Sequence, residues 1–333
     1  MVKVFVTHTP DALSKYYGQE ALSNLRALAS VSINKSSVPL SPTDLINLAE
    51  NCHIIVADRN TTAPEEVFRA LPRLCALVRV AVDISNIDVV IASEKGILVT
   101  RASAGFAVSV AELIFGYIID LSRGISYATN SYWKKILPNA LMGQQLSNKT
   151  LGIIGYGTIG KKVSDFGKFF EMRIVVHDPY VEIDRLDVEQ ATLREVLTSS
   201  DYVVCLAAAT AGTENLLNAR AFEIMAPHAF FINVARGSIV DEDALEFALR
   251  TGQIAGAAMD VGRAPDQMPS PSLATLPNVI ATPHIGGLTP EAVSHQALET
   301  VHQIADIIEG KIPAGAVNEK YAHRLQFFSK SQR

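Results

Sequence analysis

The sequence is poor in cysteine and tryptophan, with three and one, and aromatic residues make up only 7% of it. Cys52, Cys75 and Cys205 are odd in number, far apart and without C-x-x-C spacing. That pattern argues against a disulfide framework or a cysteine-based metal site, and it predicts buried free thiols in a reducing cytoplasm with no bound metal. No apolar run approaches the roughly 20 residues that span a bilayer, so no membrane partner is expected. Charged residues are 19% of the chain and the formal net charge is −5, which leaves no basic field for DNA or RNA. The opening MVKVFVT alternates like a first strand and lacks the apolar core of a secretion signal.

What the chain does have is 333 residues, 48% of them hydrophobic, enough for two domains with cores of their own. From Val2 to about Thr100, strand-like runs (Val2 to Thr7, Ile54 to Ala57, Ala76 to Ala81, Ile97 to Val99) alternate with helical patterns near Gly18 to Leu28, Pro42 to Glu50, Pro64 to Leu71 and Asp88 to Lys95. Such alternation predicts a parallel sheet covered on both faces. A long apolar helix, Val108 to Arg123, is expected to be buried almost all round, as an interdomain strut or a dimer contact. Six apolar runs follow, at Leu151 to Ile154, Arg173 to Val176, Tyr202 to Leu206, Ala229 to Val234, Ile254 to Met259 and Val279 to Ala281, the number that a complete dinucleotide-binding sheet needs. A final helix, Pro290 to Glu309, leads to a tail, RLQFFSKSQR, whose phenylalanines could dock and whose polar end is expected to fray.

The first of those six runs ends in LGIIGYGTIG, with glycines at 155, 157 and 160 ahead of a helical pattern. In this G-x-G-x-x-G spacing the first glycine permits the turn, the second admits a pyrophosphate close to the backbone, and the third lets helix and strand pack. The helix start then offers unpaired N–H groups and a positive dipole end to the phosphates. The next strand ends in Asp178, eighteen residues past Gly160, where a carboxylate suits the ribose hydroxyls of NAD and repels the 2′-phosphate of NADP.

Three polar groups fall just past later runs: Arg236 in INVARGSIVD, Asp260 in AAMDVGRAPDQ with Asp266 beyond it, and His284 in ATPHIGG. Ligands of open α/β sheets bind at such strand ends. An arginine there can hold a carboxylate or polarise a carbonyl, a histidine can exchange a proton near neutral pH, and a carboxylate can orient its ring. Singly, each has an ordinary alternative, as an ion pair with Asp241, a turn beside Pro265 or a loop residue after Pro283.

The ordered series NIDVVIASEKGILVT, SVAELIFGYIIDLSRGI, the glycine turn with HDPY, INVARGSIVDEDALEFALRTGQIAGAAMDV and TPHIGG resembles the D-isomer-specific 2-hydroxyacid dehydrogenases, phosphoglycerate dehydrogenase-like, to about Asn318. The resemblance implies two doubly wound parallel-sheet domains. A Rossmann NAD domain, residues 102–287, would be inserted into a flavodoxin-like substrate domain, residues 1–101 and 288–333, with a cleft between them. It implies an NAD-dependent oxidoreductase that interconverts a 2-oxo acid and a D-2-hydroxy acid, as a cytoplasmic homodimer through the NAD domains. Arg236 would bind substrate, His284 would be the acid/base with Asp266 as its carboxylate partner, and Asp260 would hold the nicotinamide carboxamide. The cofactor residues so implied are Gly155, Tyr156, Gly157, Thr158, Ile159, Gly160, Asp178, Pro179, Ala207, Thr213, Val234, Ala235, Asp260, His284 and Gly286. Substrate residues are Arg59, Ala81, Val82, Asp83 and Arg236.

Three departures from the family pattern bear on chemistry. A Glu-Pro pair is replaced by Pro265 and Asp266, reversed and with a shorter acid. The G-x-G of the substrate loop is replaced by Ala81, Val82 and Asp83, which adds a negative charge, and CLAAAT (Cys205 to Thr210) replaces a stretch with histidine and proline. Ser103, Phe106 and Ser109 could line the cleft. Two other readings stay open: an NAD(H)-binding sensor with little turnover, and a dehydrogenase of a non-carboxylate substrate favoured by Asp83.

Overall fold

The computed structural model describes residues 1–330, which form two compact units: Met1–Gly105 with the segment from Thr289 onward, and Phe106–Leu288. The first unit carries strands β1 (Lys3–Val6), β2 (Ser30–Ile33), β3 (Ile54–Ala57), β4 (Ala76–Arg79) and β5 (Leu98–Arg101), all parallel, in the order β2-β1-β3-β4-β5. Successive strand residues point to opposite faces. Val4, Val6, Ile54, Val56, Ala76 and Val78 therefore pack under the helices Gly18–Leu28 and Pro290–Ile308, while Phe5, Ile55, Ala57 and Leu77 pack under Pro42–Ala49 and Glu65–Ala70. The open edge of β5 is covered by the segment after the last long helix, where Arg101 N donates to Gly315 O and Val317 N to Val99 O. This 2-1-3-4-5 order is flavodoxin-like.

Two elements of this unit lie outside the apolar runs. Strand β2, SVSI, is an edge strand with an alternating exposed pattern. The helix Pro10–Tyr16 begins at Thr9, whose hydroxyl accepts from Ala12 N, with proline in its first turn. At the other end, Phe328 is buried and Phe327 stacks on His53 at 4.7 Å, so the aromatic pair docks within the helix Gln326–Lys330. The expected fraying of the tail's end concerns residues 331–333, which lie outside the described residues.

The second unit carries β6 (Thr150–Ile154), β7 (Arg173–His177), β8 (Glu189–Gln190), β9 (Tyr202–Cys205), β10 (Phe230–Asn233), β11 (Gly256–Met259) and β12 (Val279–Ala281). They form one parallel sheet in the order β12-β11-β10-β9-β6-β7-β8. The strand order reverses between β6 and β9, the crevice where ligands of doubly wound sheets bind. The sheet has seven strands rather than six because β8 is a two-residue, exposed edge pairing with no apolar signal. Leu151, Ile153, Ile174, Val176 and Val204 face the helices Ala107–Arg123 and Thr158–Phe169, and Ile154, Val175, Val203 and Phe231 face the helices on the opposite side.

The helix Ala107–Arg123 departs from its expected burial. Val110, Ala111, Ile114, Phe115, Tyr117 and Ile118 are buried, with Phe115 stacked on Phe170 at 5.1 Å, but Val108, Glu112 and Gly116 form an exposed stripe at i, i+4 spacing. Overall hydrophobicity could not show this, since two of those three positions carry no charge. Among the described residues no helix is long and apolar enough to cross a membrane.

Candidate functional site

The glycine turn joins β6 to the helix Thr158–Phe169. Gly155 has φ +100°, and a Cβ there would sit 2.7 Å from the Leu206 carbonyl. A Cβ on Gly160 would meet Gly155 O at 2.4 Å, whereas a Cβ on Gly157 would meet nothing within 4 Å. Two glycines thus serve packing and the middle one leaves the helix N-terminus open to an approaching group. Asp178, just past β7, is tied to the turn, its Oδ2 accepting from Tyr156 N at 2.7 Å and its Oδ1 from Tyr180 N at 2.9 Å. The residues present fit a dinucleotide: an open glycine at a helix start for phosphate, and a carboxylate at the neighbouring strand end for a ribose.

The loop after β9 is held from within. Thr213 Oγ1 donates to Ala208 O at 2.7 Å and accepts from Thr210 N at 2.8 Å, while Ala207 lies beside Gly155. After β10 the fully buried Asn233 accepts from Ala235 N at 3.1 Å and donates to Arg236 O at 3.3 Å, which fixes Val234, Ala235 and Arg236 as they leave the strand. Arg236 itself donates from Nη1 to Ala235 O at 2.7 Å. Arg263 ties the same region together, its guanidinium donating to Ser238 O, Val240 O and Glu214 Oε1.

Asp260, 2% exposed at the end of β11, is the hub of the loop that carries His284. Its Oδ1 accepts from Thr282 Oγ1 at 2.6 Å and from Ile285 N at 2.8 Å, its Oδ2 from Gly286 N at 2.7 Å, and its main-chain oxygen from His284 N at 2.9 Å. Tyr117, whose phenol is pushed well up by burial, donates in turn to Thr282 Oγ1. A Cβ on Gly286 would come 2.9 Å from Asp260 Oδ2, so glycine lets the loop close on the carboxylate.

His284 sits at φ +56° and its Nδ1 lies 3.1 Å from the main-chain oxygen of Asp266, itself at φ +57°. A carbonyl only accepts, which assigns the proton to Nδ1 and leaves Nε2 as the basic nitrogen of the neutral ring. The main-chain oxygen of Asp266 thus holds the ring on its Nδ1 side.

In the first unit the substrate candidates lie on two loops. The Arg59 guanidinium lies over the Tyr16 ring at 5.4 Å. Ala81 O accepts from Ala102 N, and Asp83 Oδ1 accepts from Ser85 N at 2.8 Å, beside the half-buried Val82. Ser103 bonds His295 and Glu299, at 2.8 and 2.9 Å. Among the described residues no group of three or more His, Cys, Asp or Glu could hold a metal ion.

Asn233, Tyr117, Thr282 and Arg79 escaped the sequence reading. Asn233 and Thr282 adjoin strand ends already singled out, and a polar residue at the boundary of an apolar run is the signal that could have found them.

Residues 115–286 match the family described as D-isomer specific 2-hydroxyacid dehydrogenase, NAD binding domain. The chain is 31% identical over 325 residues to a D-3-phosphoglycerate dehydrogenase of Synechocystis, covering 96% of this chain and 56% of that protein. It is 32% identical over 326 residues to the enzyme of that name from Methanocaldococcus jannaschii, covering 96% and 60%. It thus spans little more than half the length of these curated relatives. A solved D-lactate dehydrogenase from Aquifex aeolicus, complexed with NAD and lactic acid, superposes with a TM-score of 0.78 at 27% identity, over 95% of this chain and 99% of that one.

Proposed function

The chain belongs to the D-isomer specific 2-hydroxyacid dehydrogenase family, and from that premise we propose that it interconverts a 2-oxo acid and a D-2-hydroxy acid, with NAD as its cofactor. The observation that carries the reading is His284, fixed by its Nδ1 to a main-chain carbonyl and carried on a loop that Asp260 gathers, in the sheet that also bears the glycine turn. NADH, when bound, supplies the hydride. His284, protonated, delivers a proton from Nε2 to the oxygen of the reduced carbonyl, and in the reverse direction Nε2 accepts it. Arg236 holds the substrate carboxylate or carbonyl through its planar fork. Asp178 takes ribose hydroxyls, the amides at the start of the helix Thr158–Phe169 take phosphate, and Asp260 keeps Gly286 and Ile285 in place while offering its remaining lone pair to the carboxamide.

On this reading residues 102–287 are the NAD domain and residues 1–101 with 288–333 the substrate domain, to which Arg59 and Ala81–Asp83 belong. A homodimer through the NAD domains is supported by the exposed stripe at Val108 and Gly116 and by the exposed apolar residues Ile125, Tyr132, Trp133 and Leu137. A reducing, cytoplasmic setting is supported by three buried free thiols.

The test is NADH consumption against a panel of 2-oxo acids by wild type and His284→Ala. The substitution is expected to lower kcat by about two orders of magnitude or more, with NADH binding retained. Wild-type protein that binds NADH yet reduces no member of the panel overturns the 2-oxo acid reading and leaves the sensor.

A further inference from the structure

Arg79 closes the buried strand β4, reading Ala-Leu-Val-Arg, and is only 2% exposed, among the largest fully buried side chains of the molecule. A buried guanidinium is costly unless its donors are matched. Here they are matched in full. Nε donates to Asp83 O at 3.1 Å, Nη1 to Asp58 O and to Thr61 O at 3.0 Å, and Nη2 to Arg59 O at 2.7 Å and Asn86 Oδ1 at 2.8 Å. These are the five N–H groups that an arginine possesses. Burial lowers its pKa to about 10, against the neighbouring charges of Asp58 and Asp83, so it remains a cation at neutral pH.

The five acceptors come from two loops. Asp58, Arg59 and Thr61 follow β3, and Asp83 and Asn86 follow β4. With every donor committed, the guanidinium is a clasp and not a binding group for substrate. Four of its five acceptors are main-chain carbonyls. In a trans peptide the N–H points opposite to the C=O. Drawing the Asp83 carbonyl inward therefore turns the Ile84 N–H away from the guanidinium, and drawing in the Arg59 carbonyl sets the point from which the Arg59 side chain departs.

We propose that Arg79 is a positioning residue for substrate binding, clasping the Asp58–Thr61 and Asp83–Asn86 loops so that Arg59 and the Ala81–Asp83 segment are presented in one fixed register to an anionic substrate. This rests on the assignment of Arg59 and Ala81–Asp83 to the substrate. Lysine cannot replace it, because three donors on one nitrogen cannot reach acceptors spread over two loops.

The experiment compares wild type, Arg79→Lys and Asn86→Ala in steady-state kinetics with the best 2-oxo acid of the panel, in titration of the NADH complex with oxamate, and in hydrogen exchange. In Arg79→Lys the KM and the oxamate Kd are expected to rise about tenfold or more together, with kcat within about threefold and NADH affinity unchanged; Asn86→Ala should shift the same way by less and serves alone if Arg79→Lys does not fold. A KM and oxamate Kd at wild-type values, or a fall in kcat and active fraction with KM unchanged, overturns the proposal and leaves Arg79 a residue of stability only. If the wild type itself reduces no 2-oxo acid, the functional reading fails separately, and exchange decides: faster exchange confined to residues 58–61 and 81–86 supports the clasp, and unchanged exchange there overturns it.

Discussion

Each unit fixes a loop at the carboxyl ends of its parallel strands with one buried side chain, and the two side chains are opposite in kind. In the Phe106–Leu288 unit the Asp260 carboxylate accepts from Thr282 Oγ1 and from the amides of Ile285 and Gly286. In the other unit the Arg79 guanidinium donates to carbonyls of Asp58, Arg59, Thr61 and Asp83 and to Asn86. A carboxylate gathers N–H groups, so the loop it organises turns carbonyls elsewhere; a guanidinium gathers carbonyls, so its loop turns N–H groups elsewhere. The difference accompanies the roles proposed: the carboxylate holds the loop that carries His284, whose Nδ1 meets the Asp266 carbonyl, and the guanidinium holds the loops that carry Arg59 and Ala81–Asp83.

The comparison breaks first at Asp260. Asparagine has one acceptor oxygen and one NH2, so at least one of the three donors now aimed at the carboxylate would face another donor. Asp260→Asn is expected to lower kcat/KM about a hundredfold by displacing His284, since small misplacements of reacting groups cost that much. It should also lower stability by about 2–3 kcal/mol for the unmatched buried donor. Turnover and urea denaturation of the variant check both figures. A variant with near wild-type kcat would mean that the loop holds His284 without its hub.

Acid separates the two units next. His8, 1% exposed behind β1, has no hydrogen-bond partner at Nδ1 among the described residues and packs against Tyr17 at 5.3 Å. Burial lowers its pKa from 6.5 to about 4, partly offset by Asp58 and reinforced by the Arg79 cation. The unfolded chain therefore binds the proton first. Above pH 6.5 both states are neutral and the stability is fully present; between pH 6.5 and about 4 it falls, by about 3 kcal/mol in all. Hydrogen exchange of β1 and β3 in urea, measured across that window, should show the loss, and His8→Gln should flatten it. An equal slope in the variant would place the acid sensitivity elsewhere.

How much of this could be read from sequence differs in the same two-sided way. The glycine turn, Asp178, and the positions of Arg236, Asp260 and His284 were visible because each stands where an apolar run stops, and a run's end is a local feature. Strand β2 was not, because SVSI is half polar on an exposed edge; nor was β8, a two-residue pairing that exists only because β7 lies beside it. The exposed stripe at Val108, Glu112 and Gly116 holds a single charged residue, too little polarity to stand out from an otherwise apolar helix. Arg79 stands inside the buried apolar run that starts at Ala76, and no neighbour in sequence marks it as a centre that gathers two loops. Its five acceptors lie between 4 and 21 residues away and converge only when the sheet forms. The contact of His284 with a main-chain oxygen likewise carries no residue type to recognise.

The smallest effects should sharpen the comparison most, because they remove one hydrogen bond from each centre. Thr282→Val deletes the hydroxyl between Tyr117 and Asp260, and Asn86→Ala deletes one acceptor of Arg79. Each is expected to cost about 1 kcal/mol of stability, the usual net value of one such bond. Equal cost should come with unequal kinetics. Thr282→Val loosens the His284 loop and should lower kcat about threefold to tenfold with KM little changed, while Asn86→Ala loosens the anion loop and should raise KM with kcat little changed. The two variants measured side by side test whether the carboxylate centre serves the chemical step and the guanidinium centre serves binding. If both variants moved kcat alone, Arg79 would have to be assigned to the same step as Asp260, and the opposite chemistry of the two centres would no longer explain a division of labour.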